Sequence, residues 1–270
     1  MNAELNGIKA VFLDLDGTIY LGGDLIPGAI DFLNRCEQKG VMRYFLSNNS
    51  SRSVEQYVSK LQNMNIPCTP DDVLLSTHDL LSWLKGKGVT RTWAIATKGM
   101  CQMMENVGIS TDDQNPEYVV LGYDTEISYD KISKGSVFMH KGVPLVASHP
   151  DMVCPSPEGG LPDVGAYLAM LKVTTGKDPE HITGKPNPGM IMHKINELGL
   201  KPSECAMVGD RLYTDMEMAI QAGCVSVLVL SGEATAADLE ESGKIVDVVV
   251  NSVDSSVSYT HLTLPTISDV

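Results

Sequence analysis

The amino-acid sequence predicts an α/β fold, in which a parallel sheet carries helices on both faces and a second α/β domain is inserted. Two observations indicate the sheet: short apolar runs end in Asp, Asn or Gly, and helical patterns lie between these runs. Strands that alternate with helices are typical of parallel sheets. A third observation indicates the insertion, because a mixed segment separates two stretches of this alternation.

The composition excludes several classes of protein. The chain has 270 residues and a formal net charge of −14, from 20 basic and 34 acidic side chains. This acidic balance argues against nucleic acid or an anionic membrane as a partner. No apolar run approaches the ~18 residues that a membrane span needs. Residues 1–9 also lack the hydrophobic region of a signal peptide, so we expect a cytoplasmic protein with reduced cysteines.

The first stretch of alternation contains short apolar strands, which are predicted over residues 9–13, 42–46 and 73–75. One helix between them has an apolar stripe at helical spacing, formed by Ile30, Leu33 and Cys36. Gly40 ends that helix. The next helix opens with Ser53 and Gln56, which have the spacing of a capping box.

The alternation resumes after residue 180, with strands predicted over residues 205–208, 225–230 and 245–250. Between the two stretches, further strands are predicted over residues 92–96, 118–121 and 143–147, and a helix over residues 166–173. We therefore predict a sheet core built from residues 1–77 and 180–252, with residues 78–179 as the inserted domain. Residues 253–270 form an atypical tail that resembles foreign sequence, and they are left out of the predicted fold.

The strongest chemical signal is the run Asp14-Leu15-Asp16-Gly17-Thr18, directly after the first strand. Ligands bind at the carboxyl ends of strands in open parallel sheets. An Asp-rich turn is the plain alternative, since Asp and Gly both favour turns. A calcium loop of the EF-hand type does not fit, because Gly17 follows Asp16 immediately. We interpret the two carboxylates as functional.

A second acidic motif follows the strand at residues 205–208. Asp210 lies at the end of that strand, and Asp215 lies in the first turn of the next helix, where a carboxylate also complements the helix dipole. If the two strand ends are neighbours, these carboxylates converge with Asp14 and Asp16. Clustered negative charges in a crevice require a cation. Oxygen ligands favour Mg²⁺, which we predict as the cofactor.

Two polar segments complete the set of candidate residues. Ser47, Asn48 and Asn49 follow the second strand, where a hydroxyl and free backbone amides suit a phosphate oxygen, although an ordinary loop has the same composition. Lys185 lies between Gly184 and Pro186, just before a helix. A surface lysine is the plain alternative, but this rigid loop favours a fixed cation.

Together these motifs resemble the haloacid dehalogenase superfamily over about residues 8–252. The large insert between Ser47 and Lys185 is similar to that of the class IIA branch, which contains NagD-type and 4-nitrophenyl-phosphate phosphatases. The resemblance implies a Rossmann-like core with an α/β cap over the catalytic site. It further implies magnesium-dependent hydrolysis of a small-molecule phosphate ester through an aspartyl-phosphate, and it allows a homodimer through the cap.

The resemblance also implies a role for each candidate residue. Asp14 is then the nucleophile, Asp16 the general acid and base, and Lys185 the cation that neutralises the phosphoryl group. The implied metal ligands are Asp14, Asp16 through its backbone carbonyl, Asp210 and Asp215. The implied phosphate-binding residues are Ser47, Asn48 and Asn49.

Two segments depart from the family pattern, and the first is the tail from about Ser255 onward, which replaces the family's final helix. The usual Asn-Pro-Asp of the cap reads His149-Pro150-Asp151 here, and residues 148–151 and 159–165 are candidate cap contacts. We predict that His149 is a surface-loop histidine without a partner. Other functions also remain open: a phosphomutase of the same superfamily, a phospho-signalling module, or a binding module whose cap has lost productive access.

Overall fold

A computed structural model describes residues 7–154, 156 and 158–256. Its strands are β1 Ala10–Asp14, β2 Tyr20–Leu21, β3 Asp24–Leu25, β4 Met42–Ser47, β5 Val73–Leu75, β6 Thr92–Ile95, β7 Tyr118–Leu121, β8 Leu145–Ala147, β9 Val153–Cys154, β10 Leu161–Pro162, β11 His181–Ile182, β12 Cys205–Gly209, β13 Val225–Val229 and β14 Val248–Val250. Its helices are α1 Ala29–Gln38, α2 Val54–Asn63, α3 Ser76–Gly86, α4 Lys98–Asn106, α5 Tyr129–His140, α6 Val164–Thr175, α7 Gly189–Glu197, α8 Glu217–Ala222, α9 Ala236–Ser242 and α10 Val253–Ser256. Of the predicted tail, residues 257–270 lie outside the described residues.

The chain divides into two compact units. The core unit consists of Met1–Leu46 and Ile191–Val270, and the inserted unit consists of Ser47–Met190. The predicted insert, residues 78–179, lies within the inserted unit, and its predicted boundaries stay a prediction. None of the helices in the described part of the chain has the length and apolarity to cross a membrane.

The core unit is built on a parallel sheet, as predicted. Its strands lie in the order β14-β13-β12-β1-β4, and every neighbouring pair among them is parallel. All residues of β1 and β12 are buried, because a central parallel strand is covered on both faces and tolerates only a continuous apolar run. Strands β1 and β12 are neighbours, so the residues at their carboxyl ends lie at the same edge of the sheet.

The inserted unit has its own parallel sheet, in the order β11-β8-β7-β6. Alternate residues of β6 face two separate hydrophobic cores. Trp93 and Ile95 belong to one core, which also contains Met139 of α5 and Leu171 of α6. Ala94 belongs to the other, which contains side chains of α3 and α4. The inserted domain is therefore α/β, as predicted.

Local sequence signals explain where several helices begin. The predicted capping box of α2 is present: the Ser53 hydroxyl accepts from the Gln56 backbone N–H at 3.4 Å, and the Gln56 side chain accepts from the Ser53 N–H at 2.9 Å. One predicted helix differs. A π-helical turn, Leu212–Met216, precedes the short helix α8, whereas the sequence predicted an α-helix from Asp215. Such turns are frequent at functional sites.

Candidate functional site

Three buried carboxylates of the core unit lie close together. Asp14 ends β1, Asp210 follows β12, and Asp215 lies in the π-helical turn. One carboxylate oxygen from each of the three lies within 4.8 Å of the others, and the side chains are at most 8% exposed. The neighbouring strands β1 and β12 bring the first two together, and the wide π turn directs Asp215 to them. The Asp16 side chain, by contrast, is exposed and is not a member of this group.

Backbone groups hold two of these carboxylates in place. The Arg211 N–H donates to the Asp215 carboxylate at 3.1 Å, across the π turn that the Met216 N–H closes on the Arg211 carbonyl. The Glu233 N–H donates to Asp210 Oδ2 at 2.7 Å. Hydrogen bonds from backbone N–H groups stabilise the ionised form of a carboxylate. The acidic trio, which we define as Asp14, Asp210 and Asp215, is therefore pre-organised as a set of oxygen ligands.

Glycines allow the chain to approach Asp210 closely. A Cβ atom at Gly232 would lie 2.0 Å from Asp210 Oδ2 and 2.7 Å from Asp210 Cβ. At Gly17, where φ is +87°, it would lie 2.3 Å from the same oxygen. Ser231 joins the two segments, because its hydroxyl donates to the Gly17 carbonyl at 2.8 Å. The loop of residues 231–233 follows β13. Because ligands bind at the carboxyl ends of parallel strands, the sequence position of this loop was a signal that it lies near the site.

Replacing Gly232 with alanine is expected to displace the Asp210 carboxylate and to lower the free energy of unfolding by about 1–3 kcal/mol, the usual cost of overpacking. Gly23→Ala is the matched control, because no atom lies within 4 Å of the added carbon there. Thermal unfolding of both variants, with and without Mg²⁺, tests this prediction. A Gly232→Ala protein as stable and as responsive to Mg²⁺ as the control would contradict it.

Arg211 is a cation beside the acidic trio that the sequence analysis did not select. Its Nε atom lies 2.9 Å from the Glu233 carboxylate. Burial alone would lower the pKa of the Arg211 guanidinium, yet nearby groups raise that pKa above its usual range: Tyr213, Glu233, Asp14 and Asp210. Arg211 therefore offsets part of the negative charge at the sheet edge. Its position directly after Asp210 in the sequence could have indicated that Arg211 lies near the site.

Within the inserted unit, Lys185 is a buried residue rather than a surface lysine, since it is only 4% exposed. Its backbone is held by the side chain of Asn48: the Lys185 N–H donates to Asn48 Oδ1 at 2.8 Å, and Asn48 Nδ2 donates to the Lys185 carbonyl at 3.0 Å. On the same loop, the Gly184 N–H donates to the buried Asp79 carboxylate at 3.1 Å. The Lys185 loop is therefore fixed by side chains on both sides of the lysine.

The two neighbours of Asn48 make local contacts. The Ser47 hydroxyl lies 2.9 Å from the Tyr57 hydroxyl and accepts from the Asn49 N–H at 3.2 Å. The Asn49 side chain accepts from the N–H and the hydroxyl of Ser51, which closes a tight turn. The predicted phosphate-binding roles of Ser47, Asn48 and Asn49 stay predictions.

The prediction for His149 was wrong. This residue is fully buried, with carboxylates on both sides: its Nδ1 atom lies 3.6 Å from Asp151, and its Nε2 atom lies 3.6 Å from Asp163. Burial lowers the pKa of His149 to about 4, an effect that the Asp151 charge opposes and Lys185 strengthens. Asp151 is close in the sequence, but the approach of Asp163 to the other side of the His149 ring depends on the fold.

Comparisons with known proteins agree on one family. The profile described as haloacid dehalogenase-like hydrolase matches residues 11–110, and the one described as HAD-hydrolase-like matches residues 182–256. Among curated proteins, the acid sugar phosphatase of Staphylococcus aureus is 33% identical over 236 residues, which are 86% of this chain and 90% of that protein.

Solved structures resemble the chain over nearly its full length. The 4-nitrophenylphosphatase of Thermotoga maritima superposes with a TM-score of 0.91 at 37% identity, and the match covers 95% of this chain and 99% of the other. The glycerol phosphate phosphatase of Mycobacterium tuberculosis, in complex with magnesium, has a TM-score of 0.80 at 27% identity, covering 88% of this chain and 72% of the other.

Proposed function

This chain belongs to the haloacid dehalogenase-like hydrolases, in the branch of NagD and the 4-nitrophenylphosphatases, and is a phosphoric monoester hydrolase; from that premise we propose that it is a magnesium-dependent phosphatase of small phosphate monoesters. The proposed substrates are sugar or glycerol phosphates, the classes in the names of two relatives. The observation that carries the proposal is the acidic trio, with Asp14 and Asp210 at the ends of neighbouring parallel strands and Asp215 in the π-helical turn.

The acidic trio fits a hard divalent cation. All three side chains are buried and offer oxygen ligands within 4.8 Å of one another, and their mutual repulsion favours a bound cation. Asp14, Asp210 and Asp215 would hold Mg²⁺ together with the backbone carbonyl of Asp16. When bound, the ion offsets negative charge on the carboxylates and on the phosphate.

In the proposed reaction, the Asp14 carboxylate attacks phosphorus while the bond to the leaving oxygen breaks, which forms an aspartyl-phosphate. Asp16 donates its proton to the leaving oxygen. Asp16 then takes a proton from a water molecule, which attacks phosphorus and releases inorganic phosphate, so that Asp14 is regenerated. The exposed position of the Asp16 side chain is compatible with this exchange of protons.

The remaining residues position the phosphoryl group and compensate its charge, which is most of what phosphoryl transfer requires of a protein. We assign the ammonium group of Lys185 to neutralising the transferred phosphoryl group. The Ser47 hydroxyl and the backbone N–H of Asn48 are assigned to its oxygens, with Asn49 supporting their turn. The cytoplasmic location and a homodimer through the cap stay predictions.

The test is a phosphate-release assay over 4-nitrophenyl phosphate, sugar phosphates, glycerol phosphates and nucleotides, with Mg²⁺ or with EDTA. We expect inorganic phosphate to appear with Mg²⁺ and to stop with EDTA. Isomerised product without phosphate release would instead indicate a phosphomutase. A phosphoenzyme that survives for minutes after addition of acetyl phosphate would indicate a signalling module.

A further inference from the structure

The orientation of the Asn48 side chain decides whether it can hold the Lys185 backbone. In the structure, Asn48 Oδ1 accepts from the Lys185 N–H, and Nδ2 donates to the Lys185 carbonyl. The flipped amide would place Nδ2 against the N–H and Oδ1 against the carbonyl, so both hydrogen bonds would be replaced by repulsive contacts. A group that binds only the NH₂ end of the Asn48 amide therefore also stabilises the two hydrogen bonds that hold the Lys185 backbone.

Asp151 is such a group. Asn48 Nδ2 lies 3.2 Å from each of the two oxygens of the Asp151 carboxylate. An ionised carboxylate only accepts hydrogen bonds, so it binds the NH₂ end of the amide and repels the oxygen end. One amide hydrogen then serves Asp151 and the other serves the Lys185 carbonyl. Asp151 is thus the second acceptor of Asn48 Nδ2, and it favours the amide orientation in which Asn48 forms both hydrogen bonds to the Lys185 backbone.

We propose that Asp151 is a positioning residue for catalysis: it orients the Asn48 amide, which in turn fixes the backbone of Lys185. The inference rests on the proposed function, because it takes Lys185 as the cation at the phosphoryl group. Small displacements of a charged group lower a rate strongly when that group acts mainly in the transition state. Loss of Asp151 therefore lowers kcat more than it changes KM.

His149 keeps Asp151 in its place. The imidazole fills the space between Asp151 and Asp163, and among the described residues neither ring nitrogen has a hydrogen-bond partner within normal distance. These three residues also resemble a metal site. The nearest carboxylate oxygens lie at opposite nitrogens of the ring, but one ring nitrogen and one oxygen of each carboxylate also lie within 4.8 Å of one another. The inference takes His149 as a spacer between two carboxylates, and a Zn²⁺ titration distinguishes a spacer from a metal ligand.

The experiment compares Asp151→Leu with Asp151→Asn. Leucine removes the acceptor, whereas asparagine keeps an acceptor oxygen for Asn48 without the charge. We expect Asp151→Leu to lower kcat about 100-fold with KM changed less than about threefold. Asp151→Asn keeps only one of the two oxygens near Asn48 Nδ2, and we expect its kcat to fall at least about fivefold less than that of Asp151→Leu. The matched control is Asp178→Leu, at an exposed aspartate of the same unit that pairs with Lys172.

A second readout does not depend on activity. Hydrogen exchange of the Lys185 amide, measured by NMR, reports its bond to Asn48. We expect exchange at least about tenfold faster than wild type in Asp151→Leu, a smaller increase in Asp151→Asn, and no change in the control. If Asp151→Leu does not fold, Asp151→Ala removes the same acceptor with a smaller change in shape. Lys185 exchange at the wild-type rate in the variant lacking the acceptor would overturn the proposal.

The outcomes separate this inference from the proposed function. If the wild type releases no phosphate from any substrate but the exchange pattern is as expected, the proposed function fails while the Asp151–Asn48–Lys185 chain stands. If Asp151→Asn loses as much kcat as Asp151→Leu, charge rather than amide orientation matters, and the inference fails. It also fails if Zn²⁺ raises the Tm of the wild type but not that of His149→Phe, since that result would make His149 a metal ligand.

Discussion

Asp14→Asn is expected to lower kcat by about 10⁴-fold or more, while the protein stays folded. The amide of asparagine has nearly the same shape as the carboxylate but cannot attack phosphorus. Asp14 is buried at the end of β1, so the substitution keeps the packing of the central strand. Steady-state phosphate release and denatured-gel detection of a phosphoenzyme are the measurements, and we expect both signals to disappear.

The control for this variant is Asp31→Asn, an exposed aspartate in the first turn of α1. It changes the net charge by the same amount but lies outside the acidic trio, so we expect activity within about twofold of wild type and a loss of stability below about 1 kcal/mol. Retained turnover in Asp14→Asn would mean that water or another group attacks phosphorus. The aspartyl-phosphate mechanism would then be abandoned.

Asp210→Asn is expected to have opposite effects on stability with and without the metal. In EDTA, the variant should unfold at the same or a higher Tm than the wild type, because one of three crowded buried charges is gone. Mg²⁺ at about a hundredfold excess over its Kd stabilises a protein by ~2.7 kcal/mol. For a chain of this size that raises Tm by roughly 5–10 °C, and we expect most of this rise to be absent in the variant.

Activity provides the second measurement on Asp210→Asn. We expect kcat to fall about 100-fold or more, since a bound cation contributes several kcal/mol of charge stabilisation in phosphoryl transfer. Asp31→Asn again serves as the control, and it should show the full rise in Tm with Mg²⁺. An equal rise in Tm for Asp210→Asn and wild type would remove the trio from the proposed metal site.

Local patterns were sufficient to predict most of the architecture. The strand β1 was expected over residues 9–13 and is found at Ala10–Asp14, and the strand Tyr118–Leu121 was predicted with its observed bounds. Such predictions succeed because a strand buried on both faces must be continuously apolar, which is visible in neighbouring residues. The same rule places polar groups at strand ends, and it selects Asp14 and Asp210 from the sequence.

Contacts between residues far apart in the chain could not be predicted in this way. Asn48 holds the backbone of Lys185 across 137 positions, and no periodicity connects the two. His149 looks like an exposed loop residue until Asp163 closes over its other side. The approach of Gly232 to Asp210 likewise depends on how two loops at the sheet edge meet.

The chain's own pattern of apolar runs and acidic motifs thus predicted an α/β fold with carboxylates at strand ends, and the resemblance of those motifs to a known superfamily implied a hydrolase. Which residues lie close together in space depends on the tertiary structure. This structure brings Asp14, Asp210 and Asp215 together, places the Arg211 cation beside them, and buries His149. The reason is physical. Burial of one face of a helix or of a strand leaves a regular pattern in neighbouring residues, whereas electrostatic and hydrogen-bonding partners are brought together only when the chain is folded.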